Sequence, residues 1–272
     1  MPELPEVQTT VNGLQKIINK HIVGILINTR KLRYIVPRNL KKIAENSRIK
    51  KIYRIAKYIV IDVSGSKTLI FHLGMSGRIK IIKTIKYKTS KHDHILLKLE
   101  NKSFFVFNDM RKFGFVDIAN TKDLLNKKYF IKLGLDPFDL KLNKNYLLDK
   151  FKNSKVSLKQ MLLNQQVISG IGNIYACEIL FDAKLSPFIE VKKLKSIKID
   201  KLIISIRKIL SKAIVYGGTT IKDYESTDGT LGNFQNNFKV YNKNNQKILN
   251  FTIKRIKQSG RSTYYCPELQ KG

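Results

Sequence analysis

Lys57-Tyr58-Ile59-Val60-Ile61-Asp62-Val63, then Ser64-Gly65-Ser66, then Thr68-Leu69-Ile70-Phe71-His72-Leu73, reads as two strands joined by a tight turn. β-Branched and aromatic residues crowd both runs, as a pleated, half-buried surface favours, and Ser-Gly-Ser supplies the turn. The pattern repeats downstream, where Glu100-Asn101-Lys102 separates Ile95-Leu96-Leu97-Lys98-Leu99 from Ser103-Phe104-Phe105-Val106-Phe107. Several short strands at close spacing predict an antiparallel sandwich or barrel in the first half. Upstream, Val7, Val11, Leu14, Ile17 and Ile18 share one face of a helix predicted from Glu6 to Ile18.

After about residue 135 the character changes. Leu135-Asp136-Pro137-Phe138-Asp139 is a turn-rich junction. Ser157 to Leu163 reads as a capped helix and Asn173 to Phe181 as another. Ile199 to Tyr216 reads as a third, with Leu202, Ile203, Ile206, Ile209, Leu210 and Ile214 at helical spacing and Gly217-Gly218 as its stop. From about Asn236 short strand-like runs return. The expected fold class is α+β: a β-sandwich domain over 1–134, a linker over 135–150, a helical domain over 151–235 and a small β-hairpin appendage over 236–272.

The chain has 272 residues, enough for one large domain or two ordinary ones, and its 43% hydrophobic share supports a packed core. No run approaches the ~18 apolar residues of a membrane span. The acidic, Pro-rich start is unlike a secretory signal or transit peptide, so a cytoplasmic protein is expected. Cys177 and Cys266, 89 positions apart, exclude a disulfide scaffold and a self-contained four-cysteine zinc site. The formal charge of +32 points to a polyanion, most often nucleic acid. Only 10 of the 52 cations are Arg, and Ile and Asn abound, which is also what an AT-rich genome imposes. Charge alone therefore suggests nucleic acid without establishing it.

The N-terminus carries a chemical possibility. Methionine before proline is normally removed, leaving Pro2 as a secondary amine. A free α-amino group has a reference pKa of ~7.7–8.0 against ~10.4 for Lys, so far more of it is neutral at pH 7. Such an amine is a ready nucleophile for a carbon centre, including Schiff-base formation. Glu3 and Glu6 place carboxylates beside it, suited to acid/base work.

Seven blocks then occur in order: Pro2-Glu3-Leu4-Pro5-Glu6-Val7, Ala56-Lys57-Tyr58, His72-Leu73-Gly74-Met75-Ser76-Gly77, Arg111-Lys112-Phe113-Gly114, Gly170-Ile171-Gly172-Asn173-Ile174-Tyr175-Ala176, Gly217-Gly218-Thr219-Thr220, and Gly260-Arg261-Ser262-Thr263-Tyr264-Tyr265-Cys266-Pro267. Together they resemble the formamidopyrimidine-DNA glycosylases, bacterial repair enzymes that remove 8-oxoguanine and ring-opened purines. Leu4, with Met75, Arg111 and Phe113, favours that branch over the related endonuclease VIII branch, which acts on oxidised pyrimidines.

The resemblance implies a role for each residue. Pro2 would attack C1′ of the damaged nucleotide and form a Schiff base, permitting base release and strand cleavage by β,δ-elimination. Glu3 would be the general acid/base, Glu6 would support the site, and Lys57, at the start of a predicted strand, would contact phosphate and assist. Met75, Arg111 and Phe113 would fill the gap left when the base is flipped out, with Arg111 reading the orphaned cytosine. His72 and Asn173 would hold phosphates, Asn173 from the loop opening a helix-two-turn-helix element, whose N-terminus offers free N–H groups. Lys159 matches a family lysine near the lesion, Arg261 the finger arginine that grips a phosphate, and Thr219 to Gly232 the base-capping loop. His92-Asp93-His94 is not read as a metal site, because strand alternation sends neighbouring side chains to opposite faces.

The sequence departs from the family at the finger. Four Cys ligands are usual there, but the matching positions are Ile248, Phe251, Cys266 and Leu269. A zincless finger with no cofactor is expected, held by Val240, Ile248, Phe251, Ile253 and Tyr265. The implied partner is damaged double-stranded DNA, with no membrane and no obligate protein partner, and a monomer is the default. Two rival readings stay open: a non-catalytic damage-binding relative, and an enzyme for oxidised pyrimidines.

Overall fold

The computed structural model describes residues 2–219, 227, 229 and 232–271. The chain forms two compact units, one of residues 1–131 with 216–235, the other of 132–215 with 236–272.

The first unit opens with helix α1 (Leu4–Leu14). Pro5 suits a first helical turn, and Glu3 and Glu6 form a reciprocal capping box that satisfies two otherwise orphaned backbone N–H groups. The helix therefore starts two residues before the expected Glu6, and its predicted last turn tightens into a 3₁₀ turn at Gln15–Ile17. Strands β1 (Ile22–Ile27), β2 (Ile49–Ile55), β3 (Tyr58–Val63), β4 (Lys67–His72), β5 (Gly77–Lys83), β6 (Asp93–Leu99), β7 (Ser103–Asp109) and β8 (Phe115–Asn120) follow, with short α2 (Leu40–Ala44) between the first two. They build two antiparallel four-stranded sheets, ordered β1-β6-β7-β5 and β2-β3-β4-β8. One core joins the sheets: Phe71 of β4 lies 5.1 Å from Phe105 and 5.7 Å from Phe107 of β7, ring centre to ring centre. Val7, Val11 and Leu14 of α1 bury into the same core.

Lys57 is not in a strand. Ile55 pairs with Tyr58, so Ala56 and Lys57 form the two-residue β2–β3 turn, and Ala56 adopts φ +51°. The hairpin register thus places this lysine at a sheet end.

The second unit holds α3 (Lys144–Phe151), α4 (Leu158–Leu163), α5 (Asn173–Asp182) and α6 (Ser196–Val215). α3 begins within the stretch expected as linker and buries Leu147 and Phe151, and that stretch belongs to the second unit. Ser157 and Gln160 form the capping box that starts α4. α6 ends where Gly217 and Gly218 both take φ +74°, and residues 216–235 belong to the first unit. Two small hairpins finish the chain, β9 (Lys247–Ile248) with β10 (Phe251–Thr252), and β11 (Lys254–Gln258) with β12 (Arg261–Tyr265). Among the described residues no helix is long and apolar enough to cross a membrane.

Candidate functional site

In the first unit, Pro2, Glu3 and Glu6 stand at the start of α1. Pro2, Glu3 and Glu6 are all buried. Both Glu6 oxygens are engaged: Oε2 accepts the Glu3 N–H at 2.8 Å, and Oε1 accepts the Thr219 N–H at 2.8 Å and its hydroxyl at 3.0 Å. Glu6 therefore fastens the N-terminus to the segment that leaves α6. Gly218 is required there, because a Cβ on it would lie 2.9 Å from Glu6 Oε1 on a backbone at φ +74°. Glu3, the residue before the helix, sits where the helix dipole favours negative charge. Of the expected capping loop, only Thr219, Thr227, Gly229 and Gly232 are among the described residues.

His72 ends β4, and its Nδ1 accepts the Gly74 N–H at 3.0 Å. The proton of the neutral ring is therefore on Nε2. Burial, with Arg33 and Lys57 nearby, pushes its pKa down to about 4. It is a neutral N–H donor at pH 7, stacked on Phe115 at 5.4 Å and tilted against Tyr58 at 4.9 Å. Arg33 is a cation of this cluster that the sequence reading missed. It lies in an irregular segment among other cations (Arg30, Lys31 and Arg38), so nothing local singles it out, and only the fold, through the Arg33 N–H to Gly114 carbonyl bond, brings it to His72.

Met75 and Phe113 are 42% and 43% exposed and project from turns, not into the core. The Arg111 guanidinium lies 4.7 Å from the Phe113 ring centre, a cation–π contact that gathers two of the three side chains. Asp93 accepts from Tyr87, Ser90 and Asn108, and His94 Nε2 bonds the Asp109 carbonyl at 2.7 Å, so both have structural partners.

In the second unit, Asn173 Nδ2 donates to the Ser262 carbonyl at 2.9 Å, while its Oδ1 is buried without a partner among the described residues. Lys159 is 1% exposed, and its ammonium donates to the same carbonyl at 3.0 Å and to Thr263 Oγ1 at 2.7 Å. Its ammonium is turned toward the hairpin, beside the cleft that it lines with Gln160, Asn164 and Arg261. Ser259 and Gly260 both take positive φ, as a tight two-residue hairpin turn demands, and Arg261 follows them exposed at the start of β12. Gln165 was also missed: it accepts the Gly170 N–H and donates to the Leu163 and Ile171 carbonyls, stapling the loop before α5.

The finger positions do not fit zinc. Ile248, Phe251 and Leu269 offer no donor atoms, leaving Cys266 alone of the four. The packing differs in part from the expectation. Val240 and Ile253 form a cluster with Cys177 and Tyr264, and Phe181, Tyr241 and Ile248 close it. Phe251 is exposed, and Tyr265 turns away to pack edge-on against Phe188 at 5.0 Å. Beneath the cluster the buried Glu178 carboxylate accepts the backbone N–H groups of Lys239, Val240 and Tyr241 at 2.8, 3.0 and 2.7 Å. Sequence periodicity gave no sign of this clasp, because Glu178 reads as one polar residue of a helix.

The sequence profile of the formamidopyrimidine-DNA glycosylase N-terminal domain matches residues 1–116, and that of the formamidopyrimidine-DNA glycosylase H2TH domain matches residues 133–225. The chain is 42% identical over 273 residues to the formamidopyrimidine-DNA glycosylase of Rickettsia africae, with 99% of each chain covered. It is 40% identical to that of Wolbachia pipientis from Culex pipiens, covering 99% of this chain and 100% of the relative. Among solved structures, it resembles the Lactococcus lactis Fpg complexed with DNA containing an abasic site (TM-score 0.90, 33% identity, 98% and 99% covered). The wild-type Lactococcus lactis Fpg complexed with DNA containing an oxidized pyrimidine is similarly close (TM-score 0.89, 33% identity, 99% of each covered).

Proposed function

The chain belongs to the formamidopyrimidine-DNA glycosylase family and is a DNA glycosylase of DNA repair; from that premise we propose that it is a bifunctional glycosylase and abasic-site lyase for oxidised purines, with Pro2 as nucleophile. The observation that carries this is the buried Pro2-Glu3-Glu6 constellation, in which both Glu6 oxygens are engaged in positioning and the Glu3 carboxylate, which caps α1, stands next to Pro2 for proton transfer. With Met1 removed, the Pro2 nitrogen bonds to C1′, the glycosidic bond breaks and the base departs with a proton. Glu3 then protonates O4′ as the C1′–O4′ bond breaks, and the ring-opened iminium between Pro2 and C1′ is the Schiff base. It acidifies the neighbouring C2′–H, so the 3′ phosphate leaves by β-elimination and the 5′ phosphate by δ-elimination. Glu3 serves as the acid/base that opens the sugar.

In the first unit, Lys57 neutralises phosphate, and neutral His72 donates its Nε2–H to another. Asn173 and Arg261, in the second, are phosphate-binding residues by likeness to the family. Met75, Arg111 and Phe113 occupy the gap left by the flipped base. The terminal hairpin does its part without metal, and the enzyme acts as a monomer in the bacterial cytoplasm.

The test is borohydride trapping on duplex DNA carrying 8-oxoguanine opposite cytosine. A covalent adduct is expected from the wild type and none from Pro2→Gly. No wild-type adduct, or an undiminished Pro2→Gly adduct, would sink the assignment and leave a damage-binding protein. Because a Lactococcus lactis relative was solved with oxidized-pyrimidine DNA, an oxidised pyrimidine belongs in the same assay. Faster trapping there would transfer the substrate class to pyrimidines.

A further inference from the structure

Two turns carry the three void-filling side chains, and one buried carboxylate sits between them. Asp109 is the last residue of β7 and pairs with Gly77, the first of β5. The turn before β5 bears Met75, and the turn after β7 bears Arg111 and Phe113. Asp109 is fully buried, and its carboxylate is held by a hydroxyl and two backbone N–H groups. Its Oδ1 accepts the Ser76 hydroxyl at 2.5 Å and the Arg111 N–H at 3.2 Å, and its Oδ2 accepts the Gly114 N–H at 2.7 Å. The Ser76 hydroxyl oxygen takes the Arg111 N–H as well, at 3.0 Å.

The backbone of Asp109 is fixed too. Its N–H donates to the His92 carbonyl at 3.0 Å, and its carbonyl bonds His94 Nε2. Asn108, its neighbour, is tied to Asp93 at 2.7 Å. The His92-Asp93-His94 segment is thereby the backing for this carboxylate. The two turns also touch directly: a Cβ on Gly74 would lie 2.4 Å from the Gly114 nitrogen. A shift of either turn is therefore transmitted to the other.

We propose that Asp109, working through Ser76, is the positioning residue for base flipping, holding the turns so that Met75, Arg111 and Phe113 enter the duplex together. This rests on the reading that those three side chains fill the vacated gap. A wedge must be rigid to offset unstacking, which costs a few kcal/mol. Polar turns tied only to water would bend before the base pair did. A buried carboxylate with three donors resists that bending, since each broken bond would leave a desolvated partner.

The experiment compares two substrates. Single-turnover excision is measured on a lesion duplex, where a gap must be filled. Borohydride trapping is measured on a single-stranded oligonucleotide with an abasic site, where there is none. Asp109→Asn and Ser76→Ala are expected to slow the duplex reaction about tenfold or more, since each ~1.4 kcal/mol is a factor of ten, while single-strand trapping stays within about twofold. Equal losses on both substrates, or no loss on the duplex, would overturn the proposal. If Asp109→Asn does not fold, Ser76→Ala decides alone. Met75→Ala and Phe113→Ala isolate the underlying reading: if they leave duplex excision intact, the void-filling assignment fails. If they slow it and Ser76→Ala does not, the Asp109 inference fails.

Discussion

At the scale of single residues, His72 shows how burial changes what a side chain can do. A histidine beside a phosphate is easily pictured as a cation, but here Nδ1 already accepts an N–H and the ring is held neutral, with its pKa near 4 against 6.5 unfolded. The folded state thus binds fewer protons than the unfolded state between those values. Stability is fully present above pH 6.5 and is lost as pH falls through the window down to about 4, by up to about 3 kcal/mol below both values. Urea unfolding of the wild type and His72→Gln across that window checks this: the variant's stability should fall less steeply. If the two profiles run parallel, the histidine is not titrating as the fold requires. Gly218 gives a second residue-scale prediction. Gly218→Ala meets both a positive φ and the Glu6 carboxylate at 2.9 Å, so it should cost about 1–3 kcal/mol in the same denaturation experiment. It should also slow Pro2 trapping, because Glu6 cannot keep both of its partners.

At the scale of elements, the terminal hairpins are held by packing and a carboxylate clasp, and the metal-free finger is part of the proposed function. The expected consequence is insensitivity to metal: elemental analysis should find no stoichiometric zinc, and a strong chelator should leave the melting temperature and DNA binding unchanged. Val240→Ala, which empties the centre of the cluster, should instead cost about 1–3 kcal/mol. One tightly held zinc per chain, or loss of binding on chelation, would refute the metal-free element. What could be read beforehand about these elements follows the range of the forces involved. The β-branched runs announced the two sheets, and Ser157 and Gly217-Gly218 announced helix ends, because propensity and capping are local. The Pro2-Glu3-Glu6 cluster was visible because one helical turn contains it. The Glu178 clasp and the Glu6–Thr219 link join positions 61 to 63 and 213 residues apart, and no local pattern encodes them. Lys57 was assigned to a strand because its neighbours are strand formers, while the pairing of Ile55 with Tyr58 makes it a turn residue. Tyr264 and Tyr265 exchanged places for a similar reason: either aromatic suits a strand, and only the partner across the unit decides which one is covered.

For the whole molecule, the excess of cations is sharper on the surface than in the composition. The chain has 20 acidic residues and 52 cations; among the described residues, Glu3, Glu6, Asp93, Asp109 and Glu178 are buried, whereas of the cations only Lys57 and Lys159 are. The described ion pairs are mostly solvent-exposed lysine–carboxylate contacts of little energetic weight. A surface of this kind attracts any nucleic acid and steers it inward without choosing a sequence or a lesion. Choice requires a few placed groups, and the site supplies few. If those groups carry the tight binding, affinity for a lesion duplex should fall with salt at a log–log slope of about −0.9 per neutralised phosphate, with fewer than about ten phosphates in all. Arg261→Ala should lower the slope by about one phosphate, whereas Lys→Ala changes at exposed positions far from the site should lower non-specific affinity with little effect on lesion discrimination. Titrations of lesion and undamaged duplexes across a salt series measure both quantities. A slope corresponding to tens of phosphates, shared evenly by the two duplexes, would mean that bulk charge does the binding. Lesion choice would then have to arise after binding, when the base is flipped and Pro2 reacts.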